Sequence, residues 1–421
     1  MVIRPERSLR CVAPWPEARH IPEVPRRPIP VSLSPAAHPV SRGPPVRPRL
    51  PGRCRHLVCT PGVGVLGLAA LLGCRASPRV ALIGWAFPIA VTSNAQVARD
   101  ELDSWPAAGR PPIRIISDSV VQGDSPDREV ERAGRLAALP GMVVVVGHGG
   151  SRGSLAAAPV YNQAGIPQIV PSSTSRLLHK AGPWTFMLPP DDSIEGAFMG
   201  AFAVERLHVR RASIFYINDE YGAGLRDGIV AALGGRGVRI VDRVSFETQS
   251  DMPTLVAATL HRGVPDVLLV AGRQRETGAI ARLAQRRVPG LRIVAGDGAL
   301  VLPTLADNAG AAAESVYVVA FWLPDAPDSL SRAFVERFRR VVGRDPQSTD
   351  AMSHDALLLA ATAIRAVGAR RGAVRDYLRA LGRSRPAFLG VTGPITFTAN
   401  RPVRLVMTHL QHGVPVRVTG P

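Results

Sequence analysis

From residue 79 onward the chain alternates short, continuously apolar runs with amphipathic segments, and this alternation constrains the fold more than any other feature. Runs such as "VALIGWA", "MVVVVG" and "VLLVA" have the length of strands and show no polar face. Between them stand segments such as "DREVERAGRLAAL", whose apolar residues recur at helical spacing. Strands buried on both faces belong to parallel sheets covered by helices on each side. We therefore predict an α/β fold.

Two comparable strand–helix series follow one another, and they predict two lobes. The first series ends near "PDDS", and the second opens with a helix over 192–208. The roughly 340 residues that follow the N-terminal region are enough for two α/β domains. Near the C-terminus, "GVTGPITFTANRPVRLVMTHLQHGVPVRV" alternates like an antiparallel hairpin, and we place its turn at Thr-Ala-Asn-Arg.

An uncharged segment, Leu57–Gly73, follows the arginine-rich stretch "RPRLPGRCRH". It is shorter than the roughly 20 apolar residues of a transmembrane helix, and a basic region before an apolar one is typical of a secretory signal. The segment ends in Leu-Leu-Gly-Cys, which resembles a bacterial lipobox. We predict that residues 51–74 are a lipoprotein signal peptide and that Cys74 is lipidated, with a plain secretory signal or anchor as the alternative.

Residues 1–50 are rich in proline and arginine and hold 12 of the 39 prolines. They show neither helical nor strand periodicity, which is typical of a chain that cannot bury enough apolar surface to fold. We interpret them either as a disordered arm or as an upstream extension of a start that lies near residues 46–57.

Cysteine positions and charge exclude several classes of protein. All four cysteines lie at or before Cys74, so the chain beyond it can form neither an internal disulfide nor a cysteine-based zinc site. The net charge is +18, but the arginines are scattered among predicted helices with few aromatic residues, so we expect no nucleic-acid partner. Neither a histidine pair at metal-ligand spacing nor a lysine-bearing phosphate loop is present in the sequence, so we expect no metal and no cofactor.

Three segments carry a resemblance to a known family: "VVVVGHGGSRGSLAAAPVYNQAGIPQIVPSSTS", "NDEYGAGLRDG" and "GVTGPITF". With the lipobox and the order of elements, they resemble the branched-chain-amino-acid-type (Leu/Ile/Val-binding-like) periplasmic binding proteins of ABC transporters. The resemblance implies the type I periplasmic-binding fold, two doubly wound Rossmann-like lobes with a ligand cleft between them. It assigns residues 78–190 and 321–392 to the first lobe, and 191–320 and 393–421 to the second.

Two loops with hydroxyl side chains follow neighbouring strands of the first predicted lobe. Ser151 stands between a strand and a helix N-terminus, where free backbone amides and the helix dipole favour an anion. The stretch "PSSTS" repeats this arrangement with Ser172, Ser173 and Thr174. The resemblance implies that the two loops clasp the carboxylate of the ligand. Ordinary helix capping is the alternative role for each of these residues.

The second predicted lobe contributes residues of a different chemistry. The resemblance implies that Tyr221 faces the cleft and that Asp297 meets an ammonium group, whereas the alternative for Asp297 is the N-cap of a helix from Ala299. Arg273 and Arg275 follow another strand, and either of them would favour a second carboxylate if it entered the cleft. If both are solvated, an ordinary amino acid fits.

The loop after the first strand, "GWAFPIAVTSNAQ", departs from the family because it lacks the usual Gly-Pro-x-x-Gly. Its Trp85 and Phe87 either line the cleft or pack in the core.

A serine hydrolase is the alternative from a different class. Residues 149–153 read G-G-S-R-G, which matches the G-x-S-x-G nucleophile elbow between a strand and a helix. Ser151 would be the nucleophile, and His409 or His412 the base. Both histidines, however, fall in the predicted C-terminal hairpin, and glycine-rich turns produce this pattern by chance.

We therefore expect a binding protein and not an enzyme. The expected function is that of an extracytoplasmic lipoprotein of an ABC importer that closes its cleft on a small carboxylate-bearing solute. Its expected partners are the ligand, a membrane permease and an ATPase, and the membrane through the lipid anchor. We expect a monomer in the periplasm or on the outer face of the cytoplasmic membrane. A ligand-sensing receptor of the same fold is the alternative.

Overall fold

The computed structural model describes residues 80–87, 92–106, 111–118, 125–247, 251–398 and 404–419. The predicted signal segment, Cys74 and the proline-rich stretch before it lie outside the described residues. In the described part of the chain, none of the helices is both long and apolar enough to cross a membrane.

The first lobe is built on a sheet of five parallel strands. The strands are β1 Ala81–Ala86, β2 Ile113–Ser117, β3 Met142–Gly147, β4 Gln168–Val170 and β5 Thr185–Met187, and the helices between them are α1 Thr92–Asp103, α2 Pro126–Ala138 and α3 Ser151–Ala164. Their order in the sheet is β2-β1-β3-β4-β5. Strand β3 is buried along its whole length, as expected for a central parallel strand covered on both faces.

The second lobe begins with five further strands that repeat this order. They are β6 Arg211–Ile217, β7 Arg239–Phe246, β8 Val267–Ala271, β9 Arg292–Ala295 and β10 Val316–Ala320, with α4 Asp192–Glu205, α5 Glu220–Gly234, α6 Met252–Arg262, α7 Gln274–Arg287 and α8 Thr304–Ala309. The sheet order β7-β6-β8-β9-β10 corresponds to that of the first lobe, and all these strands are parallel. The predicted α/β fold with doubly wound parallel sheets is confirmed.

After β10 the chain returns to the first lobe. It forms α9 Ser329–Val342, α10 Ser348–Val367, α11 Arg371–Ala380 and a small hairpin of β11 Phe388–Gly390 and β12 Gly393–Ile395. Helix α10 packs on β1 and β3, and α9 packs on α1. The carboxylate of Asp355 in α10 accepts hydrogen bonds from the backbone amides of Val391 and Thr392, which holds the hairpin to that helix.

The last two strands, β13 Val406–Gln411 and β14 Val414–Arg417, extend the second sheet beyond β10 as antiparallel strands. The predicted terminal hairpin exists, but its turn was placed wrongly. The reversal occurs at His412 and Gly413, both with positive φ, and the Thr-Ala-Asn-Arg stretch precedes the hairpin. His-Gly supplies the left-handed conformation that a two-residue hairpin turn requires.

Helices α4 and α5 of the second lobe meet backbone to backbone. A β-carbon on Gly196 would lie 2.5 Å from the backbone of Gly228 and Ile229, so only glycine permits this approach. The contact continues toward the start of α4, where Asp192 lies against Gly224 in the second turn of α5. Any acidic residue at the start of α4 is thereby carried to the edge of the sheet where ligands bind in doubly wound folds.

Candidate ligand-binding site

In each sheet the strand order reverses beside the first strand, and ligands of open α/β sheets bind at such points, beyond the carboxyl ends of the strands. In the first lobe this edge carries the loops after β3 and β4. In the second lobe it carries the loops after β6, β8 and β9. All seven predicted ligand-binding residues lie in these loops or in the helical turns that follow them.

Ser151 connects the two loops of the first lobe. It is buried in the first turn of α3, and its Oγ accepts a hydrogen bond of 3.3 Å from the backbone amide of Ser175. The N-cap position of α3 belongs to Gly150, not to Ser151. The Ser151 hydroxyl therefore fixes the second loop against the first rather than capping its own helix.

The three residues of the second loop differ in how their hydroxyls are used. Ser173 is buried, and its Oγ lies 2.8 Å from Ser154 Oγ, so it serves the packing of α3. Ser172 Oγ is buried without a hydrogen-bond partner among the described residues. Thr174 is buried beside Asp192, whose backbone amide donates to the Thr174 carbonyl at 2.9 Å. Ser172 and Thr174 are thus better placed than Ser173 to meet a ligand.

Tyr221 is buried in the first turn of α5. Its hydroxyl accepts a hydrogen bond of 3.1 Å from the backbone amide of Gly298 in the loop after β9. Asp219 caps the helix by accepting from the amides of Tyr221 and Gly222. Burial, followed by the charge of Asp297, raises the pKa of Tyr221 well above its ordinary value, so the phenol stays neutral.

Asp297 begins a short 3-10 turn, Asp297–Ala299, directly after β9. The alternative role as N-cap of a helix from Ala299 is wrong, because the next helix, α8, begins at Thr304. The backbone amide of Asp297 donates to Glu195 Oε1 at 2.7 Å, and Asp297 Oδ1 is buried without a hydrogen-bond partner among the described residues. Burial raises the pKa of Asp297 to about 6.

Two acidic residues that the sequence did not single out complete the second-lobe side of the site. Asp192 and Glu195 lie on one face of the first turn of α4 and are fully buried. Burial raises the pKa of Asp192 to about 8, and burial followed by the charge of Asp297 raises the pKa of Glu195 well above its usual value. We call Asp192, Glu195 and Asp297 the acidic cluster. Within the described residues, none of its carboxyl groups is ion-paired with a basic side chain.

The sequence contained one usable signal for these residues. In "PDDSIEG" the acidic residues invite interpretation as helix capping, and Asp191 does cap α4 by accepting from the amides of Ser193 and Ile194. The i, i+3 spacing of Asp192 and Glu195 places both on one helical face. Only the packing of α4 on α5 turns that face toward Asp297.

The two arginines after β8 differ from each other. Arg273 Nη2 donates to Asp219 Oδ2 at 2.6 Å, and its guanidinium lies 5.9 Å from the centre of the Tyr221 ring. Arg275 is exposed on α7. Arg273 therefore stands next to a predicted site residue, but its charge is engaged by Asp219.

A small cavity lies between the two lobes. Ser172 of the first lobe and Asp297 of the second lobe both line it, with Phe321 and Met352 among the apolar residues of its wall. Nearby, Arg152 of α3 and Glu220 of α5 form an ion pair with an N–O distance of 3.0 Å, which links the lobes.

Trp85 and Phe87 are stacked, with ring centroids 4.3 Å apart, and both are buried. They belong to the large core cluster that runs through the first lobe. Their packing role accounts for their burial.

The catalytic arrangement required of a serine hydrolase is not formed. His148 Nδ1 is hydrogen-bonded to Glu129, and its Nε2 lies 3.0 Å from Tyr161 Oη, so both ring nitrogens face away from Ser151. His409 Nε2 lies 2.7 Å from the carbonyl oxygen of Glu314. His412 is held at the turn by a hydrogen bond from its amide to Glu314. Among the described residues, Ser151 has no histidine partner.

Chemically, the site combines neutral hydroxyls at a helix N-terminus with a carboxyl-rich pocket on the opposite lobe. Hydroxyls and free amides suit a carboxylate, and carboxyl groups suit an ammonium. Within the described residues, no group of three histidine, cysteine or acidic side chains is arranged to hold a metal ion.

Comparison with known proteins agrees with this architecture. The family model described as periplasmic binding protein matches residues 109–408. Over 251 residues the chain is 30% identical to an amino acid binding protein of Pseudomonas aeruginosa, a match that covers 58% of this chain and 65% of that protein. A Leu/Ile/Val-binding protein homolog of Brucella abortus is 28% identical over 248 residues, again 58% of this chain and 65% of the relative. The matched segment thus spans slightly less than two thirds of each relative.

A solved structure shows the same fold. A leucine binding protein from Thermotoga maritima superposes with a TM-score of 0.72 at 22% identity, and the match covers 80% of this chain and 98% of that one. These relatives are solute-binding proteins and not enzymes. With a family model that covers most of its length and a two-lobed fold with a cleft, the chain belongs to the periplasmic binding protein family.

Proposed function

We propose that the protein is the extracytoplasmic solute receptor of an ABC importer and that it binds a small amino acid. Membership of the periplasmic binding protein family supports binding rather than catalysis. The relatives include an amino acid binding protein and a Leu/Ile/Val-binding protein homolog, which supports an amino acid as the solute.

The observation that carries the proposal is the opposite chemistry of the two walls of one cavity. Ser172, with an unpartnered hydroxyl, lines it from the first lobe, and Asp297, with an unpartnered carboxyl oxygen, lines it from the second. An α-amino acid carries a carboxylate and an ammonium on one carbon, so it can satisfy both walls at once. The loops that form these walls are held by hydrogen bonds of Ser151, Ser173 and Tyr221.

Arg273 bears on the choice between neutral and acidic amino acids. Its guanidinium is neutralised by Asp219, so it offers little free charge to a second carboxylate. We therefore expect neutral amino acids to bind more tightly than dicarboxylates. An inward-facing, unpaired Arg273 would give the opposite preference.

The proposal includes a lipid anchor at Cys74, which rests on the Leu-Leu-Gly-Cys motif after an apolar segment. A tethered receptor would deliver its solute to a membrane permease driven by an ATPase. The location would be the periplasm, on the outer face of the membrane that holds the anchor.

A thermal-shift screen of the purified protein tests the proposal. A ligand that binds only the folded state adds RT ln(1 + [L]/Kd) to the free energy of unfolding, about 2.7 kcal/mol at a hundredfold excess over Kd. The panel consists of aliphatic and acidic amino acids, short amides, aromatic and dicarboxylic acids, and neutral sugars. We expect aliphatic amino acids to give the largest rise in melting temperature. A rise with sugars alone would contradict the proposal.

The hydroxyl wall is tested with Ser172→Ala and Thr174→Ala. Each loses a hydrogen bond to a charged group, so we expect the free energy of amino-acid binding to weaken by about 1–3 kcal/mol. Isothermal titration calorimetry measures it. Ser384→Ala, at an exposed serine between α11 and β11, is the matched control and should bind as the unmodified protein does.

A further inference from the structure

Within the described residues, the acidic cluster lacks a counterion. The groups that act on it are Asp191, which caps α4, Asp219 and Tyr221 at the start of α5, Arg273 at the start of α7, and Thr174 from the first lobe. Arg273 is the one basic side chain among them, and Asp219 binds it. Buried carboxylates without a cation are costly, so the cluster must hold either protons or an external cation.

Asp297 lines the cavity between the lobes, and Glu195 is hydrogen-bonded directly to it. Glu195 Oε1 accepts the backbone amide of Asp297, and the Tyr221 hydroxyl accepts the next amide, that of Gly298. Glu195 takes the amide of Asp297, whereas the Tyr221 hydroxyl and the Gly298 amide both lower the pKa of the Asp297 carboxyl without outweighing the effect of its burial. A β-carbon on Gly296 would lie 3.1 Å from Glu195 Oε1, which shows how tightly Glu195 is pressed against the turn.

Each of these two carboxyl groups retains an oxygen without a hydrogen-bond partner among the described residues, Oε2 of Glu195 and Oδ1 of Asp297. The charge of Asp297 raises the pKa of Glu195, so the two ionised carboxylates repel each other, whereas one proton between them lets one oxygen donate and the other accept. The pair titrates as a unit.

Resting on the proposed function, we propose that Glu195 is a positioning residue that shares a proton with Asp297 and thereby couples amino-acid binding to proton release. The ammonium of the arriving amino acid takes the place of the shared proton as the cation facing the pair. The proton leaves to solvent, the carboxyl pair becomes more negative by one charge, and the ammonium supplies the balancing positive charge. No bond other than the carboxyl O–H is broken.

The direction of the pH dependence follows from burial. Burial raises the pKa of Asp297 to about 6 and raises that of Glu195 well above its usual value, while a bound ammonium favours the ionised pair. The ligand-free protein therefore binds more protons than the complex wherever the ligand-free pair still holds its proton. Affinity falls as the pH drops through the raised pKa values of the pair, by up to about tenfold per pH unit for each proton released.

Calorimetry with L-leucine at pH 5 to 8, in two buffers of different ionisation enthalpy, measures both the dissociation constant and the protons released. The comparison ligand is 4-methylpentanoate, which has the same carbon skeleton and carboxylate but no ammonium. We expect L-leucine to release protons and to bind less tightly at pH 5. We expect 4-methylpentanoate to release none and to bind weakly throughout.

Glu195→Gln is the decisive variant. The amide keeps an acceptor for the Asp297 amide and a donor for its carboxyl, but it cannot titrate. We expect it to bind L-leucine with reduced proton release and a flatter pH profile. Glu205→Gln, at the exposed end of the same helix, is the control and should keep the profile of the unmodified protein. A purely structural role for Glu195 would change affinity equally at every pH.

The infrared spectrum of the ligand-free protein separates this inference from the proposed function. At neutral pH we expect a protonated-carboxyl band that weakens in Glu195→Gln. Absence of that difference, or wild-type proton release by Glu195→Gln, overturns the inference. Failure of L-leucine to bind at any pH counts against the proposed function, and the infrared difference then still decides whether Glu195 holds a proton.

Discussion

The two lobes each bury a group of charged side chains, and the two groups are built in opposite ways. In the first lobe, Arg132, Glu129, His148 and Tyr161 form a continuous chain of contacts, which we call the paired cluster. Arg132 is fully buried, and its Nη1 lies 3.0 Å from Glu129 Oε2. Within the described residues, the acidic cluster of the second lobe has no such basic partner.

The pKa shifts of the two clusters follow from this difference. Burial alone would raise the pKa of Glu129, but the hydrogen bond from His148 and the charge of Arg132 outweigh it and lower that pKa. Burial lowers the pKa of His148, so its ring is neutral at neutral pH and donates from Nδ1 to Glu129. In the acidic cluster, by contrast, burial raises every carboxyl pKa. The paired cluster is satisfied within the first lobe, whereas we propose that the acidic cluster receives a cation from outside.

Breaking the paired cluster should have the largest effect. Glu129→Gln preserves shape but removes the carboxylate that is ion-paired with the buried Arg132, so we expect the free energy of unfolding to fall by about 3–5 kcal/mol. Chemical denaturation at pH 7 measures the change. Glu131→Gln, exposed on the same helix, is the control. Equal stability of the two variants would remove the distinction between the clusters.

Removing a carboxyl group from the acidic cluster should raise the free energy of unfolding rather than lower it. The folded-state pKa of Asp192, about 8, lies above its unfolded value, so the folded protein binds more protons and loses stability as the pH rises from about 4 to about 8. Asp192→Asn removes this loss, and we expect the ligand-free variant to gain stability at pH 8, on the order of a few kcal/mol.

Denaturation curves at pH 5 and pH 8 test the sign of the stability change caused by Asp192→Asn. The variant should differ little from the unmodified protein at pH 5 and exceed it at pH 8. Asp227→Asn, at an exposed aspartate of α5, serves as the control and should show no such divergence. Destabilisation of Asp192→Asn at pH 8 would mean that this carboxylate has a partner of the kind that Glu129 has.

The ion pair that links the lobes should have the smallest effect. Arg152 and Glu220 are both substantially exposed, and exposed pairs contribute about 1 kcal/mol or less. We expect Arg152→Ala to weaken L-leucine binding by no more than this, with the difference shrinking at high salt. Arg226→Ala, which removes an ion pair with Asp227 inside α5 that does not link the lobes, is the control. A large, salt-independent loss would place Arg152 in direct contact with the ligand.

Much of the fold could be predicted because its causes are local. An apolar run such as that of β3 must be buried, and the loop after it must reach the sheet edge, so the neighbourhoods of Ser151 and Ser172 followed from the strand pattern alone. The misplaced hairpin turn has a local cause as well. The predicted turn at residues 398–401 contains no glycine, whereas Gly413 has a φ of 77°, which glycine adopts freely.

The acidic cluster could not be predicted in the same way. Asp192 and Glu195 stand in a segment whose residues all fit an ordinary helix start, and their position next to Asp297 depends on contacts about a hundred residues apart in sequence. Whether Ser173 or Ser172 keeps its hydroxyl free likewise depends on Ser154, which belongs to a different loop–helix unit. Periodicity identifies the faces of helices but not the neighbours that those faces meet.

The contact of α4 with α5 at Gly196 and Gly228 has a consequence for how substitutions alter the solute selectivity of such a receptor. With no layer of side chains between the two backbones, close packing leaves the helices no room to slide past each other. Arg273, the N-cap residue of α7, belongs to neither helix, so we expect a substitution there to change solute selectivity and to leave the helix pair in place. We expect a larger residue at Gly196 to displace Asp192 and Glu195 together and to weaken the binding of every solute alike.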